Sequence, residues 1–251
     1  MIESIKNIFS IPDLRKKVFF TLVLLALCRI GTFVPVPGIH GERAMQVFQQ
    51  ATGGAQNFFQ LIDMFSGGAF AQLTILALGI MPYISTSIVL QMLVAAVPSL
   101  QREVQESSDH GRRKIGRWTR TATFFLSLFQ SGILARYALH MDYSFPGIIV
   151  PKMLRPTLFG LPWLFFLTFM LTVSAGTLLL MWIGELITEK GIGNGTSLII
   201  ALGILSSFPR TLGAVLQQLN LEGQGTSNLS LFSLVVLCAL FVITTVGTIL
   251  I

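Results

Sequence analysis

The sequence predicts an all-α fold, a polytopic transmembrane helical bundle, on three observations. Hydrophobic residues make up 53% of the 251 residues and charged residues only 11%, with a mean hydropathy of +0.74; a soluble domain carries about 25% charged residues. A bilayer core of about 30 Å needs roughly 20 apolar residues in a helix rising about 1.5 Å each, and residues 73–97, 157–184 and 229–251 carry no charge at all. The cations between such runs are unevenly shared, as short cytoplasmic loops require. A soluble helical protein is a poor fit, because these runs leave almost no polar face for water.

Taken in order, residues 1–17 are read as cytoplasmic, with Lys6, Arg15, Lys16 and Lys17. Span one, 18–35, ends in Phe33 to Gly38 without a small-x-small cleavage site, so it reads as a retained span. Arg29 interrupts it and would cost roughly 2.5 to 3.5 kcal/mol at the bilayer centre. Near the outer end it either snorkels to the interface or enters an ion pair inside the bundle.

An outer loop, 36–72, is too long for a simple connection. Within it Phe58 to Phe65 is apolar and helix-compatible but too short to cross a bilayer, and Ser66, Gly67 and Gly68 break it. Two readings fit: a half-helix re-entering the protein, where irregular backbone is tolerated, or an interfacial helix flat on the headgroups.

Span two is 73–97. A basic cytoplasmic loop, 98–120, carries Arg102, Arg112, Arg113, Lys114, Arg117 and Arg120; span three, 121–141, is interrupted by Arg136; an outer loop covers 142–156. Span four, 157–186, runs into Glu185, Glu189 and Lys190, read as a solvated inner end before a cytoplasmic turn at 187–195. Span five, 196–216, contains Pro209 and Arg210, and an outer loop at 217–228 leads to span six, 229–251. That span stops in an apolar run without a polar or aromatic flank and reads as truncated. On this layout eleven cations lie inside and five outside, which puts the amino terminus in the cytoplasm.

The formal charge of +6 follows from this topology and from contact with anionic lipids, and does not point to nucleic acid. Cys28 and Cys238 lie in apolar spans and read as free small hydrophobes. His40, His110 and His140 are scattered, and no spacing suits a metal. No catalytic constellation and no cofactor motif is present, so an enzyme is not expected.

Span two carries the most information. Ile80, Ile84, Ser87 and Gln91 recur at spacings of four, three and four on one helical face. The face passes from apolar near the middle to polar toward the inside, the profile of a vestibule leading to a hydrophobic gate that dewets. Interhelical packing, with Ser and Gln bonded to a neighbouring helix, explains the same spacing. Pro82 falls inside this span and is expected to kink it by depriving the Leu78 carbonyl of a donor. Gly191 to Gly195 lacks the Lys-Ser/Thr ending of a phosphate loop and reads as a tight turn opening a helix, with Asn194 or Thr196 as cap. Thr196, Ile200, Gly203 and Ser207 share a face of that helix.

The strings RIGTFVPVPGI (Arg29 to Ile39), MFSGGAF (Met64 to Phe70), ALGIMPYISTSI (Ala77 to Ile88), GRRKIGRWTR (Gly111 to Arg120) and GTLLLMWIGELITEKGIGNG (Gly176 to Gly195) resemble the SecY family of bacterial protein-conducting channels in order and spacing. The resemblance runs through nearly the whole chain and implies the amino-terminal half of a ten-span channel, about six spans. It implies that residues 58–72 are the plug half-helix, with Phe58, Phe59, Leu61, Ile62, Met64, Phe65, Gly67 and Gly68. Ile80, Ile84 and Ile200 fall at pore-ring positions, with Ser87, Gln91 and Thr196 in the vestibule. Thr196 stands where relatives commonly carry isoleucine.

The implied function is passage of unfolded preproteins across the bacterial cytoplasmic membrane, or a thylakoid membrane, with lateral release of transmembrane segments. The resemblance also implies SecE, SecG, SecA and the ribosome as partners, the last two docking on two large cytoplasmic loops that are not among these 251 residues. A small-molecule secondary transporter is the rival reading, since broken and Pro-kinked helices are also its hallmarks. Such a transporter usually needs intramembrane charges for coupling, and only Arg29 and Arg136, both near span ends, offer any.

Overall fold

Helices form where the apolar runs lie, and capping or close backbone approach sets where several of them end. The computed structural model describes residues 12–50, 54–98, 100–101, 108–154, 157–158, 161–218 and 231–250. In chain order these hold α1 (Pro12–Gly31), α2 (Gly41–Gln50), α3 (Gly54–Ser66), α4 (Met81–Ala96), α5 (Ser108–Ser144) and the single turn α6 (Pro151–Leu154). A two-residue hairpin follows, β1 (Thr157–Leu158) against β2 (Leu161–Pro162), then α7 (Trp163–Lys190), α8 (Gly195–Gln218) and α9 (Leu231–Leu250). The chain divides into two compact units, Met1–Ile204 and Leu205–Ile251. Among the described residues the fold is all-α but for the hairpin.

The first unit is organised around α7, which packs along α5 and also meets α1 and α4. Thr123, Ser127 and Ser131 of α5 are buried, as are Ser174 and Thr177 of α7. Small residues let helix backbones approach closely where no water is available to drive association. Their hydroxyls are satisfied locally, Thr123 donating to the Thr119 carbonyl at 2.7 Å and Ser127 to the Phe124 carbonyl at 2.9 Å. One pair, Ser131 Oγ and Ser174 Oγ at 3.2 Å, crosses between the helices.

An apolar cluster at one end joins Phe48 of α2, Phe70, Leu134 and Leu139 of α5, and Phe165 and Phe169 of α7. The connecting loops are stitched together there: His40 N–H donates to the Ile148 carbonyl at 2.8 Å and Val150 N–H to the Gly38 carbonyl at 3.0 Å. Asp142 Oδ1 accepts from the backbone N–H groups of Gly147, Ile148 and Ile149 at 2.8 to 3.2 Å, fixing the chain as it leaves α5.

In the second unit, α9 exposes Leu240, Phe241, Val242 and Ile243 in succession. A helix apolar all round belongs in a core or a membrane. Thr244, Thr245 and Thr248 turn their hydroxyls back onto carbonyls of their own helix, the arrangement that suits surroundings without water.

Several boundaries differ from the sequence reading. The run 73–97 is not one helix: residues 67–80 form successive turns and α4 begins only at Met81. The basic loop 98–120 is helical from Ser108, because Arg and Lys are good helix formers, and α5 reaches 37 residues, about 55 Å. Residues 157–162, expected to open span four, include the hairpin instead. The stretch read as the outer loop 36–72 also contains the amphipathic α2, whose Ala44, Val47 and Phe48 recur at helical spacing and are buried. Among the described residues one helix, Trp163–Lys190, is by itself long and apolar enough to cross a membrane; Met81–Ala96, at 16 residues, is shorter.

Candidate functional site

The site is built on the irregular stretch that replaces the start of span two. α3 ends in a Schellman motif: Gly68 N–H donates to the Asp63 carbonyl at 2.9 Å and Gly67 N–H to the Met64 carbonyl at 3.3 Å. Gly67 (φ 68°) and Gly68 (φ 91°) take the left-handed conformation that the turn requires. Two side chains then fold the chain back, Asp63 Oδ1 accepting from Ala71 N–H at 2.8 Å and Ser66 Oγ from Phe70 N–H at 3.1 Å.

From Gly67 to Ile80 nearly every residue is buried. The backbone there is bonded to the segment after α1, Ile75 N–H donating to the Val34 carbonyl at 3.0 Å and Val36 N–H to the Leu73 carbonyl at 3.2 Å. On α7, Gly176 lies so close to the Ile75 carbonyl that a Cβ would meet it. Irregular backbone survives away from water only when protein surrounds it and supplies its partners.

α3 docks on this scaffold by one face. Phe59 stacks on Phe70 with ring centroids 5.7 Å apart and lies 4.8 Å from Tyr137, and Ile62 packs on the same cluster. Met64 is half-buried, while Leu61 and Phe65 are exposed. The Phe58 side chain lies outside the described residues. Arg29 neither reaches freely into solvent nor stands apart: its Nη1 donates to the Gly67 carbonyl at 2.8 Å and to Thr32 Oγ1 at 3.2 Å, and its guanidinium lies 4.8 Å from the Phe33 ring centroid.

Pro82 does not kink a helix. It occupies the first turn of α4, where its missing N–H has no helical acceptor to lose and its fixed φ favours initiation. Ile80 precedes the helix and accepts its first bond, from Ile84 N–H at 3.1 Å. Ile80, Ile84 and Ile200 meet in one apolar cluster with Leu76, Ile183, Ile187 and Ile199. Their burial differs. Ile80 is only 5% exposed, whereas Ile84 and Ile200 are half-buried.

Adjoining this cluster is an open cleft of about 450 Å³. Tyr83, Ile84, Ser87, Ile88 and Gln91 of α4 form one wall, Arg120 of α5 and Glu185, Thr188 and Glu189 of α7 another, and Asn194 and Thr196 close it. Four residues singled out from the sequence, Ile84, Ser87, Gln91 and Thr196, therefore line one cavity. Gln91 Nε2 donates to Ser87 Oγ at 3.1 Å on its own helix. These two polar groups face the cleft without bridging to a neighbouring helix.

The turn before α8 explains its glycines. Gly195 sits against the Gly184 carbonyl so tightly that a side chain would collide with it. Asn194 is the cap: its Oδ1 accepts from Thr196 N–H at 3.1 Å, Ser197 N–H at 3.4 Å and Thr196 Oγ1 at 2.7 Å. Thr188 Oγ1 accepts from Gly195 N–H at 2.9 Å, and Thr21 Oγ1 from Ile192 N–H at 3.2 Å, tying the turn to α7 and α1.

Sequence reasoning missed the charged part of the cleft. Glu185 is not simply a solvated helix end, because Arg120 grips it bidentately, Nη2 to Oε2 at 2.8 Å and Nε to Oε1 at 3.1 Å. The pair links α5 to α7 at the cleft wall. Residues 65 apart in sequence give no local signal of such a contact. Of the basic stretch, Lys114 Nζ lies 5.6 Å from the Trp118 ring centroid and Arg117 is exposed; the side chains of Arg112 and Arg113 lie outside the described residues.

The family model described as SecY matches residues 74–251. Protein translocase subunit SecY of Chlamydia trachomatis is 55% identical over 248 residues, 99% of this chain and 54% of the relative, and that of Aquifex aeolicus is 42% identical over 218 residues, 84% of this chain and 47% of the relative. The chain thus spans about half the length of the curated relatives it matches. Among solved structures, a protein-conducting channel matches with a TM-score of 0.48 and Sec61 in a canine ribosome-channel complex from the endoplasmic reticulum with 0.49, each at 19% identity over 80% of this chain and 41% of the other. On the family match and the identity to these relatives, the chain belongs to the SecY family.

Proposed function

We propose that the chain forms the amino-terminal half of the central, pore-forming subunit of a protein translocation channel. That subunit passes unfolded secretory proteins across the membrane and releases transmembrane segments laterally. The observation that carries the reading is the cleft whose α4 wall runs from Gln91 and Ser87 to Ile84, next to the isoleucine cluster of Ile80 and Ile200. A wide polar mouth narrowing to bulky aliphatics passes an extended chain, which bears its own hydrogen-bonding groups. Without that chain, water in an apolar neck lacks partners and the neck empties.

On this reading α3 is the plug that seals the resting pore from outside, and the cleft opens to the cytoplasm, where Arg112, Arg113, Lys114 and Arg117 also lie. The location is the bacterial cytoplasmic membrane. SecE and SecG are the channel's companion subunits, and SecA or the ribosome delivers the substrate. The reading assigns the chain no bond-making chemistry. Work is supplied by the partner.

A photoreactive amino acid at Gln91 or Ile84 of the full-length channel tests it. With a secretory polypeptide arrested in transit, both positions should crosslink to the polypeptide, and Val89, on another face of α4, should not. Equal crosslinking at all three positions, or at Val89 alone, removes the cleft from the path.

A further inference from the structure

We propose that Arg29 is a latch that holds α3 in its resting position by gripping the carbonyl at the hinge about which α3 must swing. The inference rests on reading α3 as the segment that seals the pore. It concerns how the sealed state is kept.

Three observations converge on two hinge residues. The Schellman motif uses the N–H groups of Gly67 and Gly68, and the Gly67 carbonyl receives Arg29 Nη1 at 2.8 Å from a helix 38 residues earlier in the chain. Arg29 is oriented for this by its own surroundings: Nη1 also donates to Thr32 Oγ1, which in turn donates to the Arg29 carbonyl at 2.7 Å, and the guanidinium lies over Phe33. From the other side, α8 presents Gly203, where a Cβ would run into the Phe65 carbonyl and lie 3.5 Å from Gly67 N. The end of α3 is held electrostatically by α1 and seated sterically against α8.

The rest of the hinge is braced differently. Asp63 and Ser66 bond across the hinge to Ala71 and Phe70, contacts made within one stretch of chain that hold the turn itself and also part if α3 swings out. The contacts of Arg29 and Gly203 tie the hinge to separate helices and must break if α3 leaves. A guanidinium donor to a carbonyl in a half-buried site is stronger than a neutral pair, because one partner carries full charge and little water competes. Its loss should raise the displaced population about tenfold or more. Arg29 is thus a positioning residue: it touches the hinge and not the translocating chain.

The test is resting conductance of the full-length channel in planar bilayers, with assembly checked by yield and thermal stability. Arg29→Gln, which keeps the stem and removes the charge, should raise resting conductance about tenfold. Gly203→Ala should raise it too, by displacing the seat with no change in charge. Deleting Asn57 to Ser66 should itself open the channel, and in that background Arg29→Gln should add nothing, which a general packing role of Arg29 does not predict.

An assembled Arg29→Gln channel with parental conductance, while the deletion leaks, overturns the latch alone, as does the same increment from Arg29→Gln in the deletion background. A deletion that leaves conductance unchanged overturns the sealing role of α3 and the latch with it. If Arg29→Gln does not assemble, Arg29→Met carries the test, since it keeps an unbranched stem and removes the charged donor to the Gly67 carbonyl. A rise between those of the parent and the deletion is expected, and parental conductance overturns the proposal.

Discussion

Replacing Ile84 with Asn separates a gate from a packing contact, because the structure gives Ile84 and Ile80 different surroundings. Full burial of an isoleucine side chain contributes roughly 1.5 to 3 kcal/mol, and Ile84 is only half-buried at the edge of the cleft, so an amide there should cost about 1 kcal/mol. The amide can reach water in the cleft and wet the neck, and resting single-channel conductance should rise while the protein still assembles. Ile80 is 5% exposed and lies against Gly184 and Ile199. Asn at that position loses about 2 to 5 kcal/mol of packing and buries an unpaired amide for about 1 to 3 more. That substitution should therefore abolish yield, which makes Ile84 the cleaner probe.

Val89, 65% exposed on a different face of α4, provides the control, with an expected effect within about 0.5 kcal/mol and no change in conductance. Planar-bilayer conductance measured beside thermal stability in detergent reads both quantities. A stable Ile84→Asn channel with parental conductance refutes the reasoning and removes Ile84 from the gate.

Topology is testable by labelling single cysteines in spheroplasts with an impermeant reagent: a cysteine at the exposed Arg117 should stay unlabelled and one at the exposed His40 should react, and the reverse pattern would invert the orientation read from the cations. Gly195→Val should lower thermal stability by about 1 to 3 kcal/mol, since its side chain would meet the Gly184 carbonyl and force α7 from α8; Gly193→Ala, with open space around it but φ 76°, should cost less, near 1 kcal/mol, read by the same melting assay. Pro82→Ala should change stability by less than about 1 kcal/mol, because a proline in the first turn restrains little that alanine does not. A large gain, of the order of the 3 kcal/mol that an interior proline costs, would show that Pro82 sits in a continuous helix.

The sequence by itself determined the class of the protein and the approximate position of most helices. Uncharged runs of this length can only be spans or cores, and the composition leaves too few polar faces for water. It also determined which residues of α4 share a face, because the 3.6-residue period is a local property: Ile84, Ser87 and Gln91 do line one cleft. Periodicity could not say where α4 starts. An apolar run reads the same whether it is helical or coiled through turns, and only the approach of Gly176 to the Ile75 carbonyl and the bonds to Val34 and Val36 hold residues 67–80 out of a helix.

The same limit hid the role of Pro82: a proline kinks a continuous span, but at a helix start, where Pro82 stands, it initiates. Arg29 had two open readings until the fold brought Gly67 to it, and Glu185 resembled a solvated end until α5 laid Arg120 beside it. Burial and local spacing are written along the chain, residue by residue. The partners of a hinge carbonyl or a half-buried guanidinium are chosen by which helices meet, and that is decided only when the backbone close approaches at Gly176, Gly195 and Gly203 have formed.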